Sequence, residues 1–145
     1  LELPPYAVAD IEKNDLYEEE FALGELLKDW QAQMANQELG WGVPIELPAS
    51  VPEGKWKKDY VLLRTVLQAM ATYANPIGKK DVPVPALKVN VEVKRGEVVF
   101  QMPMQSDTKA QKKNQDALRV AQELAPFCQG ELVAEPTSLK LSLKR

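Results

Sequence analysis

The sequence predicts an α+β fold: a two-layer α/β sandwich with a mixed, mostly antiparallel sheet and three main helices on one face. Three observations carry this expectation. Leu23, Leu26, Leu27, Trp30 and Met34 recur at the spacing of one helical face, as do Leu63, Val66, Leu67, Met70 and Ala74. Ala117, Leu118, Ala121, Leu124 and Ala125 form a third such stripe. Leu87, Val89, Val91 and Val93 instead alternate with Lys88, Asn90, Glu92 and Lys94, the period of a strand with one face against a core. Helices with one apolar stripe and strands with one apolar face bury those surfaces by stacking as layers.

Taken in order, residues 1–19 carry Pro4-Pro5 and the run Glu18-Glu19-Glu20 with little periodicity, and read as a linker or leading arm before one domain over residues 20–145. Gly24 is the expected N-cap of the first helix, and Glu25 suits the positive end of its dipole. Gly40-Trp41-Gly42 is expected to end it. Pro44-Ile45-Glu46-Leu47-Pro48 reads as a short strand near an edge, because neither proline donates to a ladder. The turn Pro52-Glu53-Gly54 precedes the second helix, with Asp59 as N-cap and Asn75-Pro76 as the stop. After the alternating strand, Arg95-Gly96-Glu97 turns the chain into Val98-Val99-Phe100-Gln101-Met102. Residues 104–116 form a polar stretch longer than a routine connection, expected to be a mobile or functional loop. Pro126 ends or kinks the third helix, and Gly130 is expected to release the chain from it. Residues 131–134 and Leu139, Leu141 and Leu143 then pair as a hairpin through Glu135-Pro136-Thr137-Ser138, with Lys140, Ser142 and Lys144 toward solvent.

The length of 145 residues fits one domain with a substantial core, and 45% apolar with 27% charged residues is the balance of a soluble globular protein. No apolar run is long enough to span a bilayer, so no membrane contact is expected. The single cysteine, Cys128, excludes an intramolecular disulfide; its apolar surroundings suggest a buried, inert thiol and fit a reducing cytoplasm. There is no histidine, which removes the usual phosphoacceptor, general base and metal ligand together. No Ser-His-Asp, Cys-His, CxxC or phosphate-loop pattern occurs. A net charge of −3 argues against a nucleic-acid partner; Lys55, Lys57 and Lys58 read as solvated surface, and Glu18-Glu19-Glu20 as a solvated face without metal. Trp30, Trp41 and Trp56 read as core or rim aromatics, with a partner contact as the other reading for Trp56. Leu1 follows neither a methionine nor a basic-then-apolar leader, which reads as an excised piece.

Larger stretches carry a family likeness. Glu20-Phe21-Ala22-Leu23-Gly24-Glu25-Leu26-Leu27, then Val61-Leu62-Leu63-Arg64-Thr65-Val66-Leu67-Gln68-Ala69-Met70, then Ala117-Leu118-Arg119-Val120-Ala121-Gln122-Glu123-Leu124 before Gly130-Glu131-Leu132-Val133, occur in an order that resembles the ATP-binding domain of sensor histidine kinases, the GHKL class. The likeness rests on element order and apolar spacing. It implies where nucleotide chemistry belongs. The family's second helix carries two asparagines four residues apart, one of which helps hold magnesium; the matching positions here are Ala69 and Tyr73. Its Asp-x-Gly-x-Gly turn, which accepts the adenine amino proton, corresponds to Met104, Ser106 and Thr108. A shifted register through Asp107 would need glycines where Lys109 and Gln111 stand. The phosphate-binding glycines before the last helix correspond to Gln115 and Ala117. All are read as vestigial, with no cofactor and no metal expected.

The resemblance therefore implies a degenerate ATPase-like domain of a two-component or phosphorelay protein, docking a response-regulator receiver domain or bracing a histidine-bearing helical hairpin. Dimeric histidine phosphotransferases, in which such a domain accompanies the hairpin, imply a homodimer through upstream helices. Lys109, Lys112 and Lys113 in the long loop are the candidate partner contacts. The alternatives are a divergent ATP-binding domain in which these lysines replace the lost phosphate contacts, and an unrelated α+β protein-binding module.

Overall fold

The computed structural model describes residues 17–36, 42–51, 54–75, 86–104 and 115–144. Strand β1 (Glu18–Ala22) runs directly into helix α1 (Leu23–Met34). Strand β2 (Ile45–Glu46) and strand β3 (Lys55–Asp59) lead to helix α2 (Tyr60–Ala74). Strands β4 (Leu87–Lys88), β5 (Asn90–Lys94) and β6 (Glu97–Pro103) precede helix α3 (Gln115–Leu124), a 3₁₀ turn (Ala125–Cys128), and strands β7 (Gly130–Ala134) and β8 (Ser138–Lys144).

The main sheet has the order β5-β6-β8-β7 with every pairing antiparallel. Beside it, β2 pairs in parallel with β4, the Leu87 and Val89 amides donating to the Pro44 and Glu46 carbonyls. The chain from Leu87 to Lys94 thus changes partner at Val89, from β2 to β6. β1 and β3 form a separate antiparallel pair. This pair crosses the expected arm: Glu18, Glu19 and Glu20 are exposed strand residues, Glu19 facing Lys58 and Glu20 facing Lys57, while Phe21 and Trp56 meet inside.

One continuous core joins the layers, with Trp30, Leu67, Phe100, Met102, Leu124, Leu139 and Leu141 fully buried. Helix α2 is its centre and is buried nearly all round, packing on α1, α3, β6 and β8. Asp59 caps it as expected, accepting from the Leu62 amide at 3.0 Å.

Several local expectations differ from what forms. α1 starts at Leu23 behind Ala22, which makes no side-chain cap, so Gly24 is a helical residue. The helix stops at Met34, before Gly40, where the Val43 amide takes the Met34 carbonyl at 2.7 Å. Val93 is 40% exposed although it shares a strand face with buried Val89, because β5 is an edge strand and the helices pack on β6, β8 and β7. Asp116 lies within the first turn of α3. Lys140 and Ser142 are half-buried. The residue that turns the chain after the 3₁₀ segment is Gln129, at φ 58°, and Gly130 is already in β7. The Arg95-Gly96 turn forms as expected, Gly96 taking φ 79°.

Candidate functional site

Two packed helices and the end of one strand supply the expected nucleotide positions. Ala69 and Tyr73 lie one turn apart on α2: Ala69 is fully buried, and Tyr73 is half-buried against the core. Met104 follows β6, its amide donating to the Thr137 carbonyl at 2.9 Å and its side chain resting on the core. Gln115, exposed, opens α3, and buried Ala117 sits in its first turn. α3 packs directly on α2. Ser106, Thr108, Lys109, Lys112 and Lys113 lie outside the described residues, as do Asp107, Gln111 and Trp41.

The side chains at these described positions are two methyls, a phenol, a thioether and an amide. A hard cation needs oxygen ligands, and Ala69 has none to give, while Tyr73 offers a phenol where an amide oxygen would serve. Phosphate bound at a helix start needs close backbone approach, and Ala117 carries a buried methyl there. Among the described residues no group of three or more Asp, Glu, Cys or His side chains is placed to hold a metal.

α2 also carries a polar row that the sequence reading did not single out: Thr65, Gln68, Thr72 and, at its end, Asn75 are all buried. The Thr72 hydroxyl donates to the Gln68 main-chain carbonyl at 2.9 Å. Gln68 and Thr72 repeat the spacing of four, one residue before Ala69 and Tyr73, and that repeat was the available signal.

A second cluster forms where β1, β3 and the 3₁₀ turn meet. Lys58, read from sequence as solvated, is 3% exposed; its ammonium donates to the Gln129 side-chain oxygen at 2.8 Å and to the Lys144 carbonyl. Burial lowers its pKa, opposed by the charges of Cys128 and Glu18. Cys128 is buried and free; burial, then the Asp59 carboxylate, push its thiol up to about 12 against the pull of Lys58. Both Asp59 oxygens are occupied, one by the Leu62 amide and the other by the Tyr17 amide at 3.0 Å. A cavity of about 380 Å³ opens here, lined by Glu18, Lys58, Asp59, Phe127, Cys128 and Gln129 with Pro126 beside them. Trp56 next to Lys58 is core, 3% exposed.

At the start of α2, the Tyr60 hydroxyl donates to Asp29 of α1, and the Arg64 guanidinium sits 5.7 Å from the Tyr60 ring centre. Burial, then the bond to Asp29, raise the Tyr60 pKa. No helix among the described residues is long and apolar enough to cross a membrane.

No protein-family model matches the chain, and no curated protein matches its sequence. Solved structures do. The histidine kinase AdeS of Acinetobacter baumannii superposes with a TM-score of 0.61 at 13% identity, over 89% of this chain and 68% of that one. The catalytic domain of the histidine kinase ThkA, in a nucleotide-free form, gives 0.63 at 12% over 89% and 97%. Full-length ShkA in complex with AMPPNP gives 0.63 at 16%, over 89% of this chain and 31% of that longer one. The element order, the three helices, the mostly antiparallel sheets and these superpositions together show that this chain has the histidine-kinase ATPase-like fold.

Proposed function

We propose that the chain is a non-catalytic pseudo-ATPase domain of a two-component signalling or phosphorelay protein, serving as a docking or bracing module. The observation that carries this reading is Ala69: where the resemblance calls for a polar ligand, α2 presents a fully buried methyl. Tyr73, Met104, Gln115 and Ala117 agree with it, each replacing a nucleotide-binding group by one that accepts, donates or yields space poorly. The partner in this reading is a response-regulator receiver domain or a histidine-bearing helical hairpin, because the chain has no histidine to phosphorylate itself. Lys109, Lys112 and Lys113 are its proposed contacts with an acidic partner surface.

The test is titration with ATP and ADP, with and without magnesium. Each unmade polar contact costs about 1–3 kcal/mol, so three together, about 3–9 kcal/mol, move a micromolar site to roughly 150 μM or weaker. Calorimetry giving a dissociation constant at or below about 100 μM would overturn the proposal. The buried amide of Gln68, one residue from Ala69, favours a second reading, a divergent nucleotide site with a shifted ligand. In that case ATP binds and Gln68→Ala abolishes it.

A further inference from the structure

We infer that the cavity between β1, β3 and the 3₁₀ turn is a binding site for a small zwitterion with an apolar side chain, an α-amino acid of about the size of leucine. Lys58 and Glu18 are two charges without a counter-ion in contact among the described residues. Lys58 is a buried cation whose ammonium spends two of its three donors on neutral oxygens, those of Gln129 and Lys144. Among the described residues the ion pairs are Lys55 with Glu20 and Arg119 with Asp116, so neither Lys58 nor Glu18 has an oppositely charged group at salt-bridge distance. A buried charge without a contact counter-ion is costly, and the low dielectric that makes it so strengthens any anion that reaches it. Asp59 does not fill that role, since its carboxylate is not within salt-bridge distance of the Lys58 ammonium.

Lys58 and exposed Glu18 line the same cavity, and the Glu18 charge acts on Lys58. The same cavity is lined by Pro126, Phe127 and the Cys128 thiol, held neutral by its raised pKa. A plain anion would meet Lys58 but also Glu18 and Asp59; a plain cation would meet those carboxylates but also Lys58. A zwitterion satisfies both ends: its carboxylate takes the remaining Lys58 donor, its ammonium lies toward Glu18, and its apolar group covers Phe127 and Pro126. The volume of about 380 Å³ lies at the small end of the range for ligand pockets and suits a single amino acid. The site shares no residue with the expected nucleotide positions, so nucleotide binding and amino-acid binding are tested separately.

The experiment is a titration of the whole chain with L-leucine, followed by the NMR shifts of the Phe127, Cys128 and Gln129 amides, beside N-acetyl-L-leucine and L-leucinamide, which each lack one charge. Saturable shifts with a dissociation constant of about 10 mM or tighter, and each blocked analogue weaker by about fivefold or more, are expected. Glu18→Gln, an exposed change, should weaken leucine and leucinamide about fivefold while leaving N-acetyl-leucine no weaker. Lys58→Met, if it folds, should show the reverse pattern; the Glu18 series decides alone if it does not. Absence of saturable shifts up to about 50 mM leucine, equal binding of N-acetyl-leucine, or indifference of leucine to Glu18→Gln overturns the inference.

Discussion

Gly130 lies opposite Leu143 across β7 and β8, so close that a Cβ at position 130 would fall 2.5 Å from Leu143 Cδ2 and 3.2 Å from the carbonyl oxygens of Ala125 and Ser142. The glycine is there for close approach between the 3₁₀ turn and the last strand. Two of the three neighbours are backbone atoms, which cannot rotate aside. Gly130→Ala should therefore destabilise the domain by about 1–3 kcal/mol, the usual cost of overpacking. Gly24 is the control: it is helical and a Cβ there meets nothing within 4 Å, so Gly24→Ala should stabilise by up to about 0.5–1 kcal/mol. Urea unfolding of both variants checks the opposite signs.

Leu67 sits at the centre of the core on the helix that all layers share, with no exposed surface. Leu67→Ala should cost about 2–5 kcal/mol, measured by the same unfolding curves. A loss below about 0.5 kcal/mol would remove Leu67 from the core.

The features legible in the sequence were those fixed by neighbours along the chain. The α2 stripe and the Asp59 cap follow from spacing within one helix, and the Arg95-Gly96 turn from a glycine between two alternating runs. β1 and β3 were not legible, because Phe21 follows three glutamates and Trp56 sits between two lysines, and both become inward-facing only when the two strands pair. The burial of Lys58 was beyond any local pattern: its partners, Gln129 and Lys144, lie 71 and 86 residues away in sequence. The residues that the resemblance points to on α2 and α3 lie on helices, whose register is set along the chain; Gln68 repeats the same spacing with Thr72, but its burial depends on what packs against α2.

Asp59 holds two segments at once, capping α2 through the Leu62 amide and fixing the start of β1 through the Tyr17 amide. Asp59→Ala should lose about 1–2 kcal/mol, at the upper end for a single cap. Asp59→Asn retains an acceptor for one amide and should recover roughly half of that loss. Equal stability of the Ala and Asn variants would show that the acceptor retained by Asn contributes nothing.

Cys128 gives the domain a pH dependence with a defined sign. Its thiol, ordinarily titrating near 9.0, is pushed up to about 12 by burial and the Asp59 carboxylate. Between those values the unfolded chain has lost the proton that the folded chain keeps, so the folded state binds more protons and stability falls as pH rises. The contribution is fully present below about pH 9 and is progressively lost as pH climbs toward 12. Between pH 8 and pH 10 the wild type should lose about 1.4 kcal/mol more than Cys128→Ala, whatever the cavity cost of that substitution at either pH. Lys58 also titrates, but its lowered pKa gives the opposite slope and is present in both proteins. The same burial should cut the native thiolate fraction at pH 8 by about a thousandfold, so a disulfide reagent should modify Cys128 far more slowly in buffer than in denaturant. Parallel slopes for the two proteins, together with rapid native labelling, would show that the thiol is not held in the protonated form that its surroundings impose.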